Sequence, residues 1–232
     1  MRVITVAGPP SVGKTSVVIR TAEALKRRRV LIGVVKFDAL STADGTRYQE
    51  AEIPVATGLS GSVCPDHFFV TNIDDAVGWG KKRGFDMLIV ESAGLCNRCS
   101  PHIRGVGAVC VVDNLSGINT PGKIGPMLKL ADLVLITKGD VVSQAEREVF
   151  AFNVRKSNPD AAILYFNGIT GQGATEFGLY LMKAAHIEGL EGSRLRFPMP
   201  SAVCPYCIGE TAVGRDHQRG NVRKMSFDEV QA

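Results

Sequence analysis

A phosphate-binding loop near the start of the chain constrains the fold more than any other sequence feature. The stretch GPPSVGKT at 8–15 fits the pattern G-x-x-x-x-G-K-[ST] at every position. The apolar segment VITVA precedes this loop and a helical pattern follows it, which is the context that the motif requires. Glycines let backbone amides turn toward phosphates, the lysine adds positive charge, and the threonine hydroxyl is placed to bind Mg²⁺. The residues predicted to bind the nucleotide phosphates are Gly8, Ser11, Val12, Gly13, Lys14, Thr15 and Ser16.

Strand and helix patterns that alternate along the chain predict the fold around this loop. Apolar runs predict strands at 2–7, 30–36, 86–90, 108–112, 132–137 and 161–166. Helical periodicity predicts helices at 14–27, 46–52, 72–83, 122–130, 143–157 and 173–185. Continuous apolar strands such as MLIV are typical of a parallel sheet that is covered on both faces. The sequence therefore predicts an α/β fold of the P-loop NTPase type, with a doubly wound, mostly parallel sheet and helices on both faces.

The periodic pattern stops near residue 187, and this predicts two regions. Residues 1–186 are predicted to form the nucleotide-binding domain, and 187–232 an irregular extension rich in Pro and Gly that contains Cys204 and Cys207. A segment with so little periodicity needs a metal or a partner to order it.

Charge and hydropathy argue against nucleic acid as a partner and against a membrane-spanning or secreted protein. The chain has 27 basic and 23 acidic residues, and this small, evenly spread excess argues against nucleic acid as the main partner. The sequence contains no apolar segment of the roughly 18 residues needed for a membrane span, and its first residues do not resemble a signal peptide. A cytoplasmic location is therefore predicted. In that reducing compartment, structural disulfides are not expected among the six cysteines, which favours metal binding or redox chemistry. Cys110, within the apolar run AVCVV, is instead expected to be a buried, small apolar side chain.

A second motif predicts which base the site reads. The stretch TKGD at 137–140 follows the apolar run ADLVLI, and Asp140 can accept hydrogen bonds from the two donors of guanine, which adenine does not offer. Lys138 and Asp140 are therefore predicted to bind the base. The alternative is an ordinary charged turn after a strand. The stretch NGITGQG at 167–173 also follows a strand, at a place where GTPases pack a loop against the base, and the two stretches together favour GTP over ATP.

The order and spacing of further motifs resemble a known family over residues 1 to about 185. After the phosphate loop come KFD at 36–38, LSTADGTR at 40–47, CPDH at 64–67 and IVESAG at 89–94. This series resembles the nickel-insertion GTPases HypB and UreG, which belong to the SIMIBI class. The chain departs from HypB in that its first strand begins at residue 2, without a metal-binding arm before it. The extension with Cys204 and Cys207 matches neither protein.

The resemblance implies roles for particular residues. It implies that Asp38 and Glu91 serve Mg²⁺ and orient the attacking water, and that Lys14 neutralises developing charge. It also implies that the Gly94 amide senses the γ-phosphate and that Cys64 and His67 bind a metal. It further implies a homodimer that acts on a target metalloenzyme or its maturation complex.

The thiols leave two arrangements open. Cys96, Cys99, Cys204 and Cys207 could form one four-thiolate site, suited to zinc or an iron–sulfur cluster. Alternatively, Cys64 and His67 bind an exchangeable metal with their symmetry mates in a dimer, while Cys204 and Cys207 form a separate site. His102 lies close in sequence to Cys99 and is a possible further ligand.

These observations lead to one main functional hypothesis and two alternatives. The main hypothesis is a slow GTPase that binds GTP or GDP with Mg²⁺ and couples nucleotide state to delivery of a metal, nickel or zinc, or of a metal cluster. The first alternative is an iron–sulfur ATPase or GTPase that donates electrons or carries clusters. The second is a regulatory nucleotide switch in which a zinc ion is only structural.

Overall fold

A computed structural model of the chain describes residues 1–197, 211–217 and 222–227, and these contain a seven-stranded sheet. The strands are β1 (Arg2–Ala7), β2 (Ile32–Asp38), β3 (Val55–Leu59), β4 (Met87–Glu91), β5 (Gly107–Asp113), β6 (Leu133–Thr137) and β7 (Ala162–Phe166). The α-helices are α1 (Lys14–Lys26), α2 (Asp44–Glu50), α3 (Pro65–Lys82), α4 (Pro126–Lys129), α5 (Gln144–Ser157) and α6 (Ala174–Leu181).

The order of the strands places the functional residues at one edge of the sheet. All strand pairs are parallel, and the order is β3-β2-β4-β1-β5-β6-β7. The direction of chain progression reverses around β1, so a crevice forms there at the carboxyl ends of the strands. The register pairs Glu91 of β4 with Val6 of β1 and with Lys36 of β2. Charged side chains from two neighbouring strands therefore meet beside the phosphate loop.

Helices cover both faces of the sheet, as the sequence predicts. On one face, α1, α2 and α6 pack against alternate strand residues, and Leu25, Tyr48 and Phe177 are buried there. On the other face, α3 buries Phe68 and Phe69 against β2, while α5 buries Phe150 against β5 and β6. The predicted doubly wound α/β fold is confirmed, and the sheet is parallel throughout.

Apart from shifts of up to four residues at the ends of other elements, three elements differ from the sequence-based predictions. Strand β3 is missing from the predictions because VATGL is a short edge strand that pairs only with β2 and exposes alternate residues. Helix α3 begins at Pro65 rather than 72, because proline is well suited to a first helical turn. The helix predicted at 122–130 is a 3₁₀ turn at Thr120–Lys123 followed by the short α4, because Gly125 adopts φ 72° between them.

The part of the extension that the structure describes packs onto the same core. Leu190, Leu195 and Val213 are buried with the side chains beneath α3. Arg196 donates to both carboxylate oxygens of Asp132, at 2.6 and 2.8 Å. The proposed boundary at residue 186 stays a prediction. Among the residues placed in the structure, no helix is long and apolar enough to cross a membrane.

Candidate nucleotide and metal site

The phosphate loop adopts a backbone conformation that favours glycine at two positions. Gly8 adopts φ 142°, and a Cβ at this position would lie 2.1 Å from the Val111 carbonyl oxygen. Gly13, with φ 94°, is in the left-handed conformation and immediately precedes the first residue of α1. The loop therefore ends at the N-terminus of a thirteen-residue helix, where free amides and the helix dipole favour an anion.

Lys14 contacts the carbonyl groups of its own loop. Its ammonium donates to the carbonyls of Gly8 and Pro9, both at 2.9 Å. Burial lowers the pKa of Lys14, partly opposed by the charge of Glu91. The cavity beside it has a volume of about 510 Å³ and is lined from the phosphate loop, β2, α2 and β4. A phosphate in this cavity would offer Lys14 stronger, charged acceptors than the carbonyls it now contacts.

The far wall of this cavity holds three carboxylates around one lysine. The Lys36 ammonium lies 2.8 Å from Glu91 Oε1, 2.9 Å from Asp44 Oδ2 and 3.5 Å from Asp38 Oδ2. Glu91 also accepts from the hydroxyls of Thr15, at 3.0 Å, and Tyr48, at 2.5 Å. The sequence predicts Asp38, Glu91 and Thr15 in this site, whereas Lys36, Asp44 and Tyr48 are residues that the sequence analysis does not assign to it.

The missed residues do carry a signal in the sequence. Lys36 and Asp38 are two apart on β2 and so project from the same face of the strand. Asp44 and Tyr48 are four apart on α2 and therefore lie on one side of that helix. Recognising them required the register between β2 and β4, which the sequence does not provide.

The chemistry of these side chains fits Mg²⁺. This ion prefers hard oxygen ligands and usually takes one or two carboxylates together with phosphate oxygens. The Thr15 hydroxyl lies 3.0 Å from Glu91 Oε1, and Asp38 and Asp44 line the same cavity. Thr15, Glu91 and Asp38 would hold the ion here, where it would neutralise charge on the β- and γ-phosphates.

The predicted base-binding residues lie beyond the other end of the phosphate loop. Lys138 adopts φ 55° and donates to the Ser11 carbonyl at 2.8 Å and to Asp113 at 2.7 Å, which ties its loop to the phosphate loop. Asp140 lines a cavity of about 140 Å³ together with Asn167 and Gln172, which belong to the stretch predicted to pack against a base. The two base-site stretches are therefore neighbours in space.

The loop after β4 connects the phosphate site to the thiols. Gly94 adopts φ 73°, and a Cβ there would lie 1.7 Å from the Gly8 carbonyl oxygen and 3.2 Å from the Lys14 ammonium nitrogen. Only glycine allows this approach. Further along the same loop, Cys96 and Cys99 place their sulfur atoms 3.6 Å apart.

These two thiols lie beside a buried carboxyl group. Ligand atoms of Asp66, Cys96 and Cys99 are all within 4.8 Å of one another. Asp66 is in the first turn of α3, and burial raises its pKa to about 6. Burial, and then Asp66 and Cys96, raise the pKa of Cys99. A transition metal would reverse both effects, because it binds the deprotonated forms of thiols and carboxyls.

The other predicted metal ligands have different placements. Cys64 is half-buried and immediately precedes α3, and His67 is buried in the first turn of that helix. Neither is among the three residues whose ligand atoms lie together, although the charge of Cys64 affects Cys99. Cys204 and Cys207 lie outside the described residues, so the four-thiolate arrangement remains a prediction.

His102 has partners other than the thiols. One ring nitrogen is 2.9 Å from the Thr5 hydroxyl, and the other is 2.9 Å from the Met127 carbonyl. Burial lowers the pKa of His102 to about 4, so the ring is neutral at physiological pH. The side chain joins the segment after the thiols to β1 and α4. The prediction that His102 is a further metal ligand is wrong, because both ring nitrogens are hydrogen-bonded to Thr5 and Met127.

Comparison with known proteins gives a consistent picture. The family described as "CobW/HypB/UreG, nucleotide-binding domain" matches residues 2–165 of the chain. An uncharacterized protein of Methanocaldococcus jannaschii is 46% identical over 225 residues, which cover 97% of this chain and 96% of that protein.

Hydrogenase maturation factors resemble the chain more distantly. HypB of Azotobacter vinelandii is 28% identical over 199 residues, which make up 84% of this chain but only 62% of that protein. Solved structures of HypB from Archaeoglobus fulgidus and, in complex with nickel, from Helicobacter pylori have TM-scores of 0.62 and 0.64 at 24% and 21% identity. They cover 78% and 79% of this chain, and this chain matches 89% and 86% of theirs, so the architecture is shared.

Proposed function

This chain belongs to the CobW/HypB/UreG nucleotide-binding domain family, and we propose that it is a GTPase whose nucleotide state controls binding and release of a transition metal. The metal is cargo for a metalloenzyme, and the residues Asp66, Cys96 and Cys99 receive it. Nickel and zinc both suit a mixed thiolate and carboxylate set. Catalysis in a homodimer, with slow turnover in the absence of a partner, is part of the same proposal.

One observation supports this proposal above all others. A single segment runs from Glu91 to Cys99. Glu91 accepts a hydrogen bond from the Thr15 hydroxyl at 3.0 Å, and Cys99 belongs to the cluster with Asp66 and Cys96. Between them, Gly94 packs against the carbonyl of Gly8 too closely for any side chain. A change at the phosphates therefore acts on the segment that carries the two thiols.

At the phosphate site, each side chain has a distinct task. Lys14 exchanges the carbonyls of Gly8 and Pro9 for phosphate oxygens, where its charge stabilises the leaving group. The Thr15 hydroxyl, together with Glu91, would hold Mg²⁺, which would neutralise charge on the phosphates. Asp38 or Glu91 then orients the attacking water, as the resemblance implies.

The movement of Lys14 is what couples the two sites. A Cβ on Gly94 would lie 3.2 Å from the Lys14 ammonium. The loop and the ammonium are therefore so close that the position of one limits the position of the other. When Lys14 turns toward phosphates, the loop after Glu91 can settle in a second position. Cys96 and Cys99 follow, which changes their distances to Asp66 and hence the affinity for metal.

Asp140, in the smaller cavity with Asn167, supports guanine rather than adenine as the base. A carboxylate accepts hydrogen bonds from the ring and exocyclic N–H groups that only guanine presents. The attachment of Lys138 to Ser11 holds this carboxylate in a fixed relation to the phosphate loop.

The test combines nucleotide turnover with metal analysis of anaerobically purified full-length protein. We expect hydrolysis of GTP in preference to ATP, its loss in Lys14→Ala, and nickel or zinc that is lost in Cys96→Ser/Cys99→Ser. The matched control is Cys110→Ser, which alters a buried thiol in β5 outside the group. Iron with acid-labile sulfide would instead support the cluster-carrying alternative, and absence of GTP turnover would overturn the proposal.

A further inference from the structure

Lys36 occupies an unusual position for a lysine in a magnesium site. Its side chain is 4% exposed, and its ammonium lies within 3.5 Å of three carboxylates, those of Asp38, Asp44 and Glu91. The register of β2 and β4 sets Lys36 directly beside Glu91. The lysine is therefore held in the wall of the nucleotide cavity and does not sample solvent.

The charge of Lys36 is matched to this position. Burial by itself lowers the pKa of the ammonium, but Glu91 and Asp44 more than compensate, and the pKa is raised overall. Of the other nearby cations, only Arg47 shares a carboxylate with Lys36, that of Asp44. Lys14 contacts the loop carbonyls, and Arg47 lies at the rim, where it donates to Ser16 at 2.9 Å and to Asp44 at 3.2 Å.

The ammonium and a divalent cation would compete for the same oxygen. Glu91 Oε1 accepts from Lys36 at 2.8 Å and from the Thr15 hydroxyl at 3.0 Å. Mg²⁺ bound by Thr15 and Glu91 would therefore take the place of one of these hydrogen bonds. It would also meet a fixed positive charge a few ångströms away, and such repulsion is strong in a site shielded from water.

We propose that Lys36 is a tethered cation that holds the three carboxylates together when Mg²⁺ is absent and competes with Mg²⁺ for them. Three carboxylates without a cation would repel one another in this buried wall. Lys36 removes most of that repulsion, so the empty site keeps its shape. The same charge raises the Mg²⁺ concentration that the site requires. The inference rests on the proposed nucleotide site but not on GTP hydrolysis or on the transition metal.

The test is a Mg²⁺ titration of the nucleotide-free, full-length protein, followed by its thermal unfolding temperature. Lys36→Met keeps the aliphatic stem and removes the charge. We expect this variant to unfold at a lower temperature than the wild type in EDTA and to regain stability on addition of Mg²⁺. The midpoint of its Mg²⁺-dependent rise in unfolding temperature should lie at ~10-fold or more lower Mg²⁺ than the midpoint for the wild type. Lys36→Arg, which keeps the charge, should retain the high Mg²⁺ requirement of the wild type.

Two controls make the result specific. Lys26→Met removes an exposed lysine that pairs with Glu52 at the end of α1 away from the phosphate loop, and it should leave the Mg²⁺ midpoint unchanged. If Lys36→Met does not fold, Lys36→Gln retains a hydrogen-bond donor to Glu91 and is judged by the same criterion. Equal Mg²⁺ midpoints for wild type and the neutral variant, or equal shifts in the methionine and arginine variants, would overturn the inference. Because the titration contains no GTP, a failure of GTP turnover is recorded separately.

Discussion

Replacing Asp66 by Asn should stabilise the metal-free protein and weaken its hold on metal. Asp66 is 3% exposed, and burial raises the pKa of its carboxyl from 3.8 to about 6. A carboxyl whose pKa is higher in the folded state stabilises the fold below the unfolded pKa, and this contribution is lost as the pH rises through about 6. Raising the pKa of this carboxyl from 3.8 to about 6 corresponds to about 3 kcal/mol of folding free energy.

The assay is urea unfolding of wild type and Asp66→Asn at several pH values, with EDTA and a reductant present. At pH 4 the carboxyl of the folded wild type is largely protonated, and the free energies of unfolding of the two proteins should differ little. At pH 7.5 we expect the variant to be more stable by up to about 3 kcal/mol. His102 titrates in both proteins, so its contribution cancels in the difference.

A bound transition metal should make the wild type, rather than Asp66→Asn, the more stable of the two proteins. With a saturating transition metal, the wild type gains a charged ligand, while the amide of the variant is a weaker one. The variant should therefore gain less stability from zinc than the wild type does. A stability difference that does not change with pH, or an equal gain from zinc, would refute the argument that Asp66 is a buried ligand held ready for metal.

Three further predictions concern the base site, the connecting loop and the extension. Asp140→Asn should weaken GTP binding ~100-fold by removing charge-assisted hydrogen bonds to guanine, as measured by fluorescence of a labelled nucleotide. Gly94→Ala should cost about 2 kcal/mol of folding free energy and weaken nucleotide binding, since its Cβ would meet the Gly8 carbonyl at 1.7 Å; urea unfolding and nucleotide titration measure the two effects. Arg196→Ala should cost about 2 kcal/mol by unfolding, because it loses both oxygens of Asp132 at 2.6 and 2.8 Å.

Each of these predictions has a specific control. ATP binding should be equally weak in wild type and in the Asp140 variant, and unchanged GTP affinity would refute the base assignment. Gly84→Ala changes a glycine that also has positive φ but meets nothing within 4 Å, so it should leave nucleotide binding intact. Arg194→Ala, whose guanidinium pairs with Thr211 at 3.1 Å near the surface, should cost much less than the Arg196 change.

Periodicity and one motif were enough to predict most of the fold. The phosphate loop fixed the first strand and helix, and continuous apolar runs indicated the buried parallel strands. Two features of the fold were not predicted. Strand β3 is an edge strand with alternating exposure, and α3 begins earlier than its apolar pattern because Pro65 and Asp66 suit a first helical turn. The edge strand depends on its pairing with β2, whereas the start of α3 follows from local preferences of a first helical turn that periodicity does not report.

The site was predictable where the motifs are contiguous and not where they meet in space. Lys14, Thr15 and Glu91 could be named because each stands at a fixed place in a motif. Neither Lys36 nor Asp66 stands out in the sequence, because their partners are distant along the chain. Glu91 is 55 positions from Lys36, and the two thiols are 30 and 33 positions from Asp66. A lysine on a strand and an aspartate at a helix start are ordinary in sequence. Only the packing of β2 on β4, and of α3 against the loop after Glu91, gives them a role.

The most direct test of the central claim is the affinity for zinc or nickel in two nucleotide states of the same protein. A chelator competition would be run with the full-length chain bound to Mg²⁺ and either GDP or a non-hydrolysable GTP analogue. If the loop from Glu91 to Cys99 couples the sites, the two dissociation constants should differ by ~5-fold or more, which is the usual range of such coupling. The difference should disappear in Cys96→Ser/Cys99→Ser. Equal dissociation constants in the two nucleotide states would contradict the account.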